Sequence, residues 1–527
     1  MTEKDKSNSK DNLTRIQASA HDMASWQHAQ EYLRHGRNAP ALASYRKLLQ
    51  KYPGVPQLWT ELAVAASGVL DFAQADEAFQ RAAELSSSDA AMLVAIGLQC
   101  FRLRRLDQAM ALLQRAVVVD PSSVGARLRL AKLLERSRRL DDALECVETG
   151  LAQHPKEGRL LYFKAFLLHG KGLTGEAETA LRDLTGDAAL PLDVQANASY
   201  LLAALLDSHG QYAEALTYLD KAKTMRRKSV NTAAIEQTWE KEDQMRRKLL
   251  AALTPETLRR WHEEASALPS PHPLALLAGH PRSGTTLVEQ ILGAHPDILV
   301  FDENLSFANQ VLAALNPPPP ASPLTFKSLD NLTAAGRGQL TGRYFKSLLY
   351  ETPENAGAML LLDKNPFTTI SLHLWLRVFP LSKIVVALRD PRDIIVSCYF
   401  QNIVRDREIV TFASFERTAK YYSDVMDVWL RLRELGGFEW IETRYEDIVG
   451  NLEAEGRRVT NFLGLPWHEA QATYYEAAAR KCVYSPTYNE VTKPVYTRGV
   501  KRWEHYADAL APVQAVVAKY CQTFGYG

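Results

Sequence analysis

Cysteine is scarce in this sequence. The 527 residues hold five, Cys100, Cys146, Cys398, Cys482 and Cys521, and none stands in CxxC spacing. An odd, scattered set excludes a disulfide framework and reads as reduced thiols. No Cys/His cluster has the spacing of a metal site, so no metal is expected. An excess of one charge is equally lacking. Lys and Arg number 62 against 61 Asp and Glu, a net charge of +1, which offers no bulk attraction to nucleic acid or a membrane surface. Affinity for anions must come from local placement of cations. No apolar run is long enough to span a bilayer. The polar first residues contain no apolar h-region, so neither a membrane anchor nor a signal peptide is expected. The expected location is the cytoplasm, and residues 1–21 are expected to be a disordered lead-in.

What is present is a repeat. The length is too great for one ordinary core, so several domains are expected. Ala41, Ala75, Ala109, Ala143 and Ala177 are spaced by 34 residues each, and Ala215 follows after 38. Four positions after each stands a bulky residue: Tyr45, Phe79, Leu113, Val147, Leu181, Leu219. Twelve before each stands a small one: Ala29, Ala63, Gly97, Ala131, Ala165, Ala203. This pattern resembles the tetratricopeptide repeat, a pair of antiparallel helices. Small residues let the two helices approach, and the bulky residue fills the gap of the neighbouring unit. One unit cannot bury its apolar face alone, so units stack. The pattern predicts an all-α array of about six units over residues 22–228. Such an array suits a protein or peptide partner; the alternative is support of the second domain or self-association. A charged helical linker is expected over 229–270, with Pro255 opening a new helical turn and Ser270-Pro271-His272-Pro273 ending the segment.

The remainder, 271–527, reads as an α/β domain with a parallel sheet. The apolar run Leu274–Ala278 suits a buried strand. Gly279-His280-Pro281-Arg282-Ser283-Gly284-Thr285-Thr286 follows, then the helical pattern Leu287–Leu292. Strand, Gly/Ser/Thr loop and helix make an anion cradle, because the free N–H groups of the helix N-terminus point at the ligand. A triphosphate loop would place Lys after Gly284. Thr285 stands there, and the cation, Arg282, is inside the loop.

Together with later segments the loop resembles the sulfotransferase family, most closely its tyrosylprotein and tetratricopeptide-repeat branches. The carrying motifs are Pro281–Leu287 with His295-Pro296-Asp297, Asp363-Lys364-Asn365-Pro366, Arg389-Asp390-Pro391-Arg392-Asp393 with Ser397, Arg444-Tyr445-Glu446-Asp447, and Ser485-Pro486-Thr487 through Lys493 to Lys501-Arg502-Trp503. They stand in the family's order. The resemblance implies transfer of a sulfuryl group from 3′-phosphoadenosine-5′-phosphosulfate to a hydroxyl, without a metal.

It also implies roles. Arg282, Ser283, Gly284, Thr285 and Thr286 hold the 5′-phosphosulfate, and Arg389 and Ser397 the 3′-phosphate. Tyr445, Lys493 and Arg502 complete the donor contacts. Glu303 is the general base, with Asp302 its adjacent rival. Lys364 and Arg282 meet the developing charge, and Thr487 supplies a hydroxyl, with Ser485 as rival. Arg392 and Asp393 read as a surface ion pair. Two departures stand out. Cys398-Tyr399-Phe400-Gln401 replace a family Arg beyond Ser397, with Arg405 the nearest substitute, and Arg502 replaces a Lys. Pro317–Pro320 is expected near the acceptor. The acceptor stays open between a protein tyrosine, a carbohydrate and a small molecule. A non-catalytic repeat scaffold is the alternative from another class.

Overall fold

The six phased alanines, Ala41 to Ala215, are fully buried, and so are Ala29, Ala63, Ala131, Ala165 and Ala203 twelve residues before them. Each lies in one of six helix pairs: Ala20–Arg34 with Asn38–Lys51, Pro56–Gly68 with Phe72–Leu85, Ala90–Arg102 with Leu106–Val119, Val124–Arg136 with Leu140–Gln153, Gly158–Gly170 with Thr174–Gly186, and Leu192–Ser208 with Tyr212–Arg227. Where the third pair has Gly97, an added Cβ would stand 3.2 Å from Leu113 Cγ. The small residue is thus there for the bulky one opposite. The turn inside each pair repeats as well. Gly36, Leu70, Arg104, Arg138, Gly172 and Gly210 all have φ between 63° and 83°. Three of these six are not glycine and accept a left-handed backbone that costs an L-residue about 1–2 kcal/mol. The packed pairs on either side hold them there.

The structure is a computed structural model that describes residues 18–267, 271–317, 322–350, 352, 356, 358–478, 490–495 and 498–527. The lead-in up to residue 17, Cys482, Ser485, Thr487 and Pro318–Pro320 lie outside the described residues. The chain forms two compact units. One holds the residues up to Glu135 together with Arg139–Leu160; the other holds Arg136–Arg138 and Leu161–Gly527. The division between them falls inside the fifth repeat. The reason is apolar continuity. Leu202, Leu206 and Leu219 of the sixth repeat belong to the same buried cluster as Trp261, Leu276 and Val386. The segment expected as a linker forms the helices Thr232–Ala252 and Pro255–Ser266. Pro255 opens the second helix, and Thr254 caps it by accepting from Thr257 N.

The second unit contains a sheet of five parallel strands among the described residues, in the order β2-β3-β1-β4-β5. They are β1 Leu274–Gly279, β2 Ile298–Asp302, β3 Leu360–Lys364, β4 Lys383–Leu388 and β5 Trp440–Arg444. Side chains alternate between two buried clusters, as strand pleating dictates. Leu274, Leu276, Ile384, Val386 and Leu388 face one cluster. Ala275, Leu277, Val385 and Ala387 face the other, which includes Leu287, Val288 and Ile291 of the helix Thr285–Gly293. Helices thus cover both faces, and the central strand β1 is apolar and buried throughout for that reason. Two strands end later than their apolar runs suggest. β3 includes Asp363 and Lys364, and β5 runs on to Arg444.

Candidate active site

Five of the groups singled out in the sheet domain sit at the C-terminal ends of strands. The anion loop follows β1, Glu303 follows β2, Lys364 ends β3, Arg389 follows β4 by one residue and Tyr445 follows β5. In an open parallel sheet that edge is where ligands bind, at the point where the strand order departs in both directions. Here that point is β1, flanked by β3 and β4.

The loop after β1 is tightly held. Gly279 has φ 141°, and a Cβ there would meet Ala387 O at 2.6 Å. Thr369 Oγ1 accepts from Gly279 N at 2.8 Å and donates to Gly279 O at 2.7 Å. Gly284, at φ 91°, leaves room for the Tyr445 ring, which a Cβ would approach to 2.8 Å. Neither residue can carry a side chain, and this lets backbone N–H groups face the ligand. His280 is buried, with Nδ1 2.7 Å from Pro281 O. Burial lowers its pKa to about 4, so the ring is neutral at pH 7 and braces the loop without adding charge.

The cations are interlocked. Arg282 Nε donates to Ser397 Oγ at 2.9 Å. Arg389 Nη1 donates to Arg282 O at 3.1 Å, and its Nη2 donates to Gly499 O. The Arg389 guanidinium also lies 4.8 Å from the centre of the Tyr445 ring. Arg389 is only 8% exposed, and its Nε has no hydrogen-bond partner among the described residues. A buried guanidinium N–H left without an acceptor is costly unless an anion completes it.

Arg389 lines a cavity of about 370 Å³ with Arg282, Gly284, Thr285, Thr286, Glu303 and Tyr445. A second cavity, about 400 Å³, is lined by Asn365, Phe367, Thr368 and again Glu303. Glu303 therefore stands where the two meet. It has φ 45°, and its N–H donates to Lys364 O at 2.7 Å.

Lys364 is fully buried and is not among the residues lining either cavity. Its Nζ lies 2.5 Å from Asp302 Oδ1, 3.3 Å from Glu289 Oε2 and 3.6 Å from Glu303 Oε1. Burial works against the charged ammonium, but the three carboxylates outweigh it and raise its pKa. Three carboxylates around one ammonium carry an excess of negative charge in a buried place. Burial accordingly pushes Glu289 up to about 8. Asp363 is not the partner of Lys364: it accepts from Tyr344 Oη at 2.8 Å.

Other expected site residues lie elsewhere. Ser283 is buried within the loop, where its Oγ would stand 2.7 Å from a Cβ on Gly279. Lys493 is exposed, and its carbonyl accepts from Tyr474 Oη at 3.0 Å. Arg502 pairs with Asp207 at 3.0 Å and stacks 4.1 Å from the Phe400 ring. Arg405 is exposed and lines both cavities. Arg392 and Asp393 do not form the expected surface pair. Arg392 forks onto Asp390 at 2.9 and 2.7 Å, while Asp393 is buried and accepts the backbone N–H groups of Lys501 and Trp503, each at 2.8 Å. Glu289 and Thr369 had no motif to announce them. The one signal for Glu289 is a carboxylate inside the apolar run Leu287–Leu292.

The model of the sulfotransferase family matches residues 273–469. Models of the tetratricopeptide repeat match residues 27–68, 66–124 and 101–167. An uncharacterized protein of Aquifex aeolicus is 25% identical over 417 residues, 77% of this chain and 52% of that one. Protein-tyrosine sulfotransferase 1 of Danio rerio is 26% identical over 245 residues, 44% of this chain and 65% of that one. Protein-tyrosine sulfotransferase A of Caenorhabditis elegans is 25% identical over 243 residues, 44% and 61%. The chain thus spans between half and two thirds of the length of these relatives. It joins tetratricopeptide repeats to a domain of the sulfotransferase family.

Proposed function

We propose that this chain moves a sulfuryl group from 3′-phosphoadenosine-5′-phosphosulfate to an acceptor hydroxyl, and that the acceptor is a tyrosine of a protein or peptide. The observation that carries the donor reading is the buried Arg389, which has an Nε without a hydrogen-bond partner among the described residues and lines the same cavity as Gly284, Thr285 and Thr286. A helix N-terminus and a forked cation in one cavity suit a ligand with two separate anionic groups. Thr285 in place of a loop Lys disfavours a triphosphate. The names of the Danio and Caenorhabditis relatives favour tyrosine over a carbohydrate or a small molecule. The repeats supply a surface of the kind that holds polypeptide.

In this reading Glu303 faces the donor cavity on one side and the acceptor cavity on the other. It takes the acceptor's proton as the new O–S bond forms and the S–O bond to the donor phosphate breaks. Arg282 stabilises charge on the transferring group from the loop side. Lys364, held between carboxylates, orients Glu303 from behind.

Calorimetry with 3′-phosphoadenosine-5′-phosphate tests the donor site. The chain should bind it, and Arg389→Ala should bind at least tenfold more weakly. Preference for Mg-ATP would overturn the assignment. A sulfur-radiolabelled donor, offered with a tyrosine peptide, its phenylalanine counterpart and a glycan, tests the acceptor. Label on the glycan alone would remove tyrosine from the proposal.

A further inference from the structure

Donor-side residues of the sheet domain are tied to the sixth repeat, and one carboxylate makes the principal tie. Asp207 is the penultimate residue of the helix Leu192–Ser208. Its Oδ1 accepts from Tyr506 Oη at 2.5 Å and from Arg502 Nε at 3.2 Å, and its Oδ2 lies 3.0 Å from Arg502 Nη2. Asp207 and Arg502 side chains are 11% and 20% exposed, so the pair is largely withdrawn from water. Tyr212, at the start of the next repeat helix, stacks on His505 with ring centres 4.1 Å apart.

From Arg502 the path leads to the cavity. Asp393 holds the backbone of Lys501 and Trp503 from the other side. Three residues before Arg502, Gly499 O accepts from Arg389 Nη2. Gly499 is packed so closely that a Cβ would stand 2.9 Å from Tyr445 Oη and 3.2 Å from Arg389 Nη2. The segment 499–506 therefore sets where Arg389 and Tyr445 lie, and Asp207 sets where that segment lies. The sixth repeat also grips the far wall of the cavity. Arg226 Nη2 donates to Asn402 Oδ1 at 3.1 Å, and Lys223 Nζ to Phe412 O at 2.6 Å. Asn402 and Phe412 both line the cavity.

We propose that Asp207 is a positioning residue for the donor site, acting through Arg502 and Gly499 on Arg389, so that the sixth repeat completes a site whose anion loop and Arg389 belong to the sheet domain. This rests on the donor reading given above. It assigns Arg502 a different task from direct donor contact: the guanidinium is committed to Asp207 and the Phe400 ring. The sulfotransferase family match, 273–469, includes neither Asp207 nor Arg502.

The test is a double-mutant cycle on the full chain. Affinity for 3′-phosphoadenosine-5′-phosphate is measured by calorimetry for the unmodified chain, Asp207→Ala, Arg502→Ala and the double variant, with thermal unfolding recorded for each. Each single variant should lose about tenfold in affinity, equivalent to about 1.4 kcal/mol. The double variant should lose no more than either single one. In turnover the donor KM should rise while kcat and the acceptor KM stay within about twofold, a split that simple destabilisation does not produce. Asp207→Glu should restore most of the loss. Asp207→Asn, which keeps size and one acceptor oxygen, serves if the alanine variant does not fold. A folded Asp207 variant with unchanged donor affinity overturns the proposal. So does an Arg502→Ala loss much larger than that of Asp207→Ala, because Arg502 would then touch the donor itself. Failure of the unmodified chain to bind 3′-phosphoadenosine-5′-phosphate overturns the donor reading instead, and this inference with it.

Discussion

Glu303 and Lys364 are joined through both backbone and side chain: Glu303 N donates to Lys364 O at 2.7 Å, and Lys364 Nζ lies 3.6 Å from Glu303 Oε1. The backbone bond continues the β2–β3 ladder, in which Asp302 is paired with Lys364, one residue past the end of the strand. Sheet register alone therefore fixes the base candidate next to a buried ammonium. Glu303 keeps a side chain 24% exposed toward the cavities, while Lys364 is sealed behind it. A carboxylate with one face on ligand and the other on a cation is held in one orientation, as a general base requires.

Replacing Glu303 by Gln keeps the shape and removes the proton acceptor. The expected result is a fall in kcat of about 10²–10⁴-fold, the usual worth of a positioned base. Affinity for 3′-phosphoadenosine-5′-phosphate should change by less than about twofold, since Arg282, Arg389 and the loop are untouched. Stopped transfer with retained product binding supports the role. A Glu303→Gln enzyme with near-normal kcat, and loss of activity in Asp302→Asn instead, would move the role one residue back.

Lys364 behaves differently on removal, because its three neighbours stay behind. Lys364→Met leaves Glu289, Asp302 and Glu303 around a vacated charge, two of them nearly or fully withdrawn from solvent. Breaking a buried ion pair by removing one partner typically costs about 3–5 kcal/mol. Urea denaturation should show a loss of that order for Lys364→Met. Adding Asp302→Asn should recover part of it, since the carboxylate 2.5 Å from the lost ammonium is then replaced by a neutral amide. Equal stability of the single and double variants would show that Asp302 contributes no charge to the cluster. An alanine or methionine at 364 thus tests folding before it tests catalysis.

The repeat phase was legible because local spacing encodes it: the buried face of each helix recurs with its alanine. The strand-end loops were legible for a similar reason, since an apolar strand followed by Gly, Ser, Thr or Arg marks the sheet edge. The pairings that complete the site were not. Arg502 and Asp207 are 295 positions apart, and nothing in either neighbourhood names the other. Asp393 sits beside Arg392 on a short helix, where a surface pair is the simple reading, yet its partners are two N–H groups more than 100 residues away. The repeat pattern stops near residue 228. Packing ignores that point, because Leu202, Leu206 and Leu219 share their core with the sheet. Local pattern specifies elements, whereas long-range packing specifies which of them form one body.

Glu289 gives stability a pH dependence whose sign follows from its environment. Its pKa rises from 4.5 in the unfolded chain to about 8 in the folded one, chiefly through burial, with Lys364 opposing and Asp302 and Glu303 adding to the rise. Between these values the folded state binds the extra proton, so this group makes stability fall as pH rises from about 4.5 to about 8. Glu289→Gln cannot release a proton and should remove that slope. Other buried groups also titrate there. Asp393, raised to about 6 by burial, acts in the same direction, and His280, lowered to about 4, acts in the opposite one. The informative quantity is therefore the difference between the two proteins. Unfolding free energies from urea titrations at pH 5, 6, 7 and 8 should show Glu289→Gln gaining on the parent steadily with pH. A constant difference across that range would mean that Glu289 has the same charge in both states, and the excess negative charge around Lys364 would then have to be carried by Asp302 and Glu303.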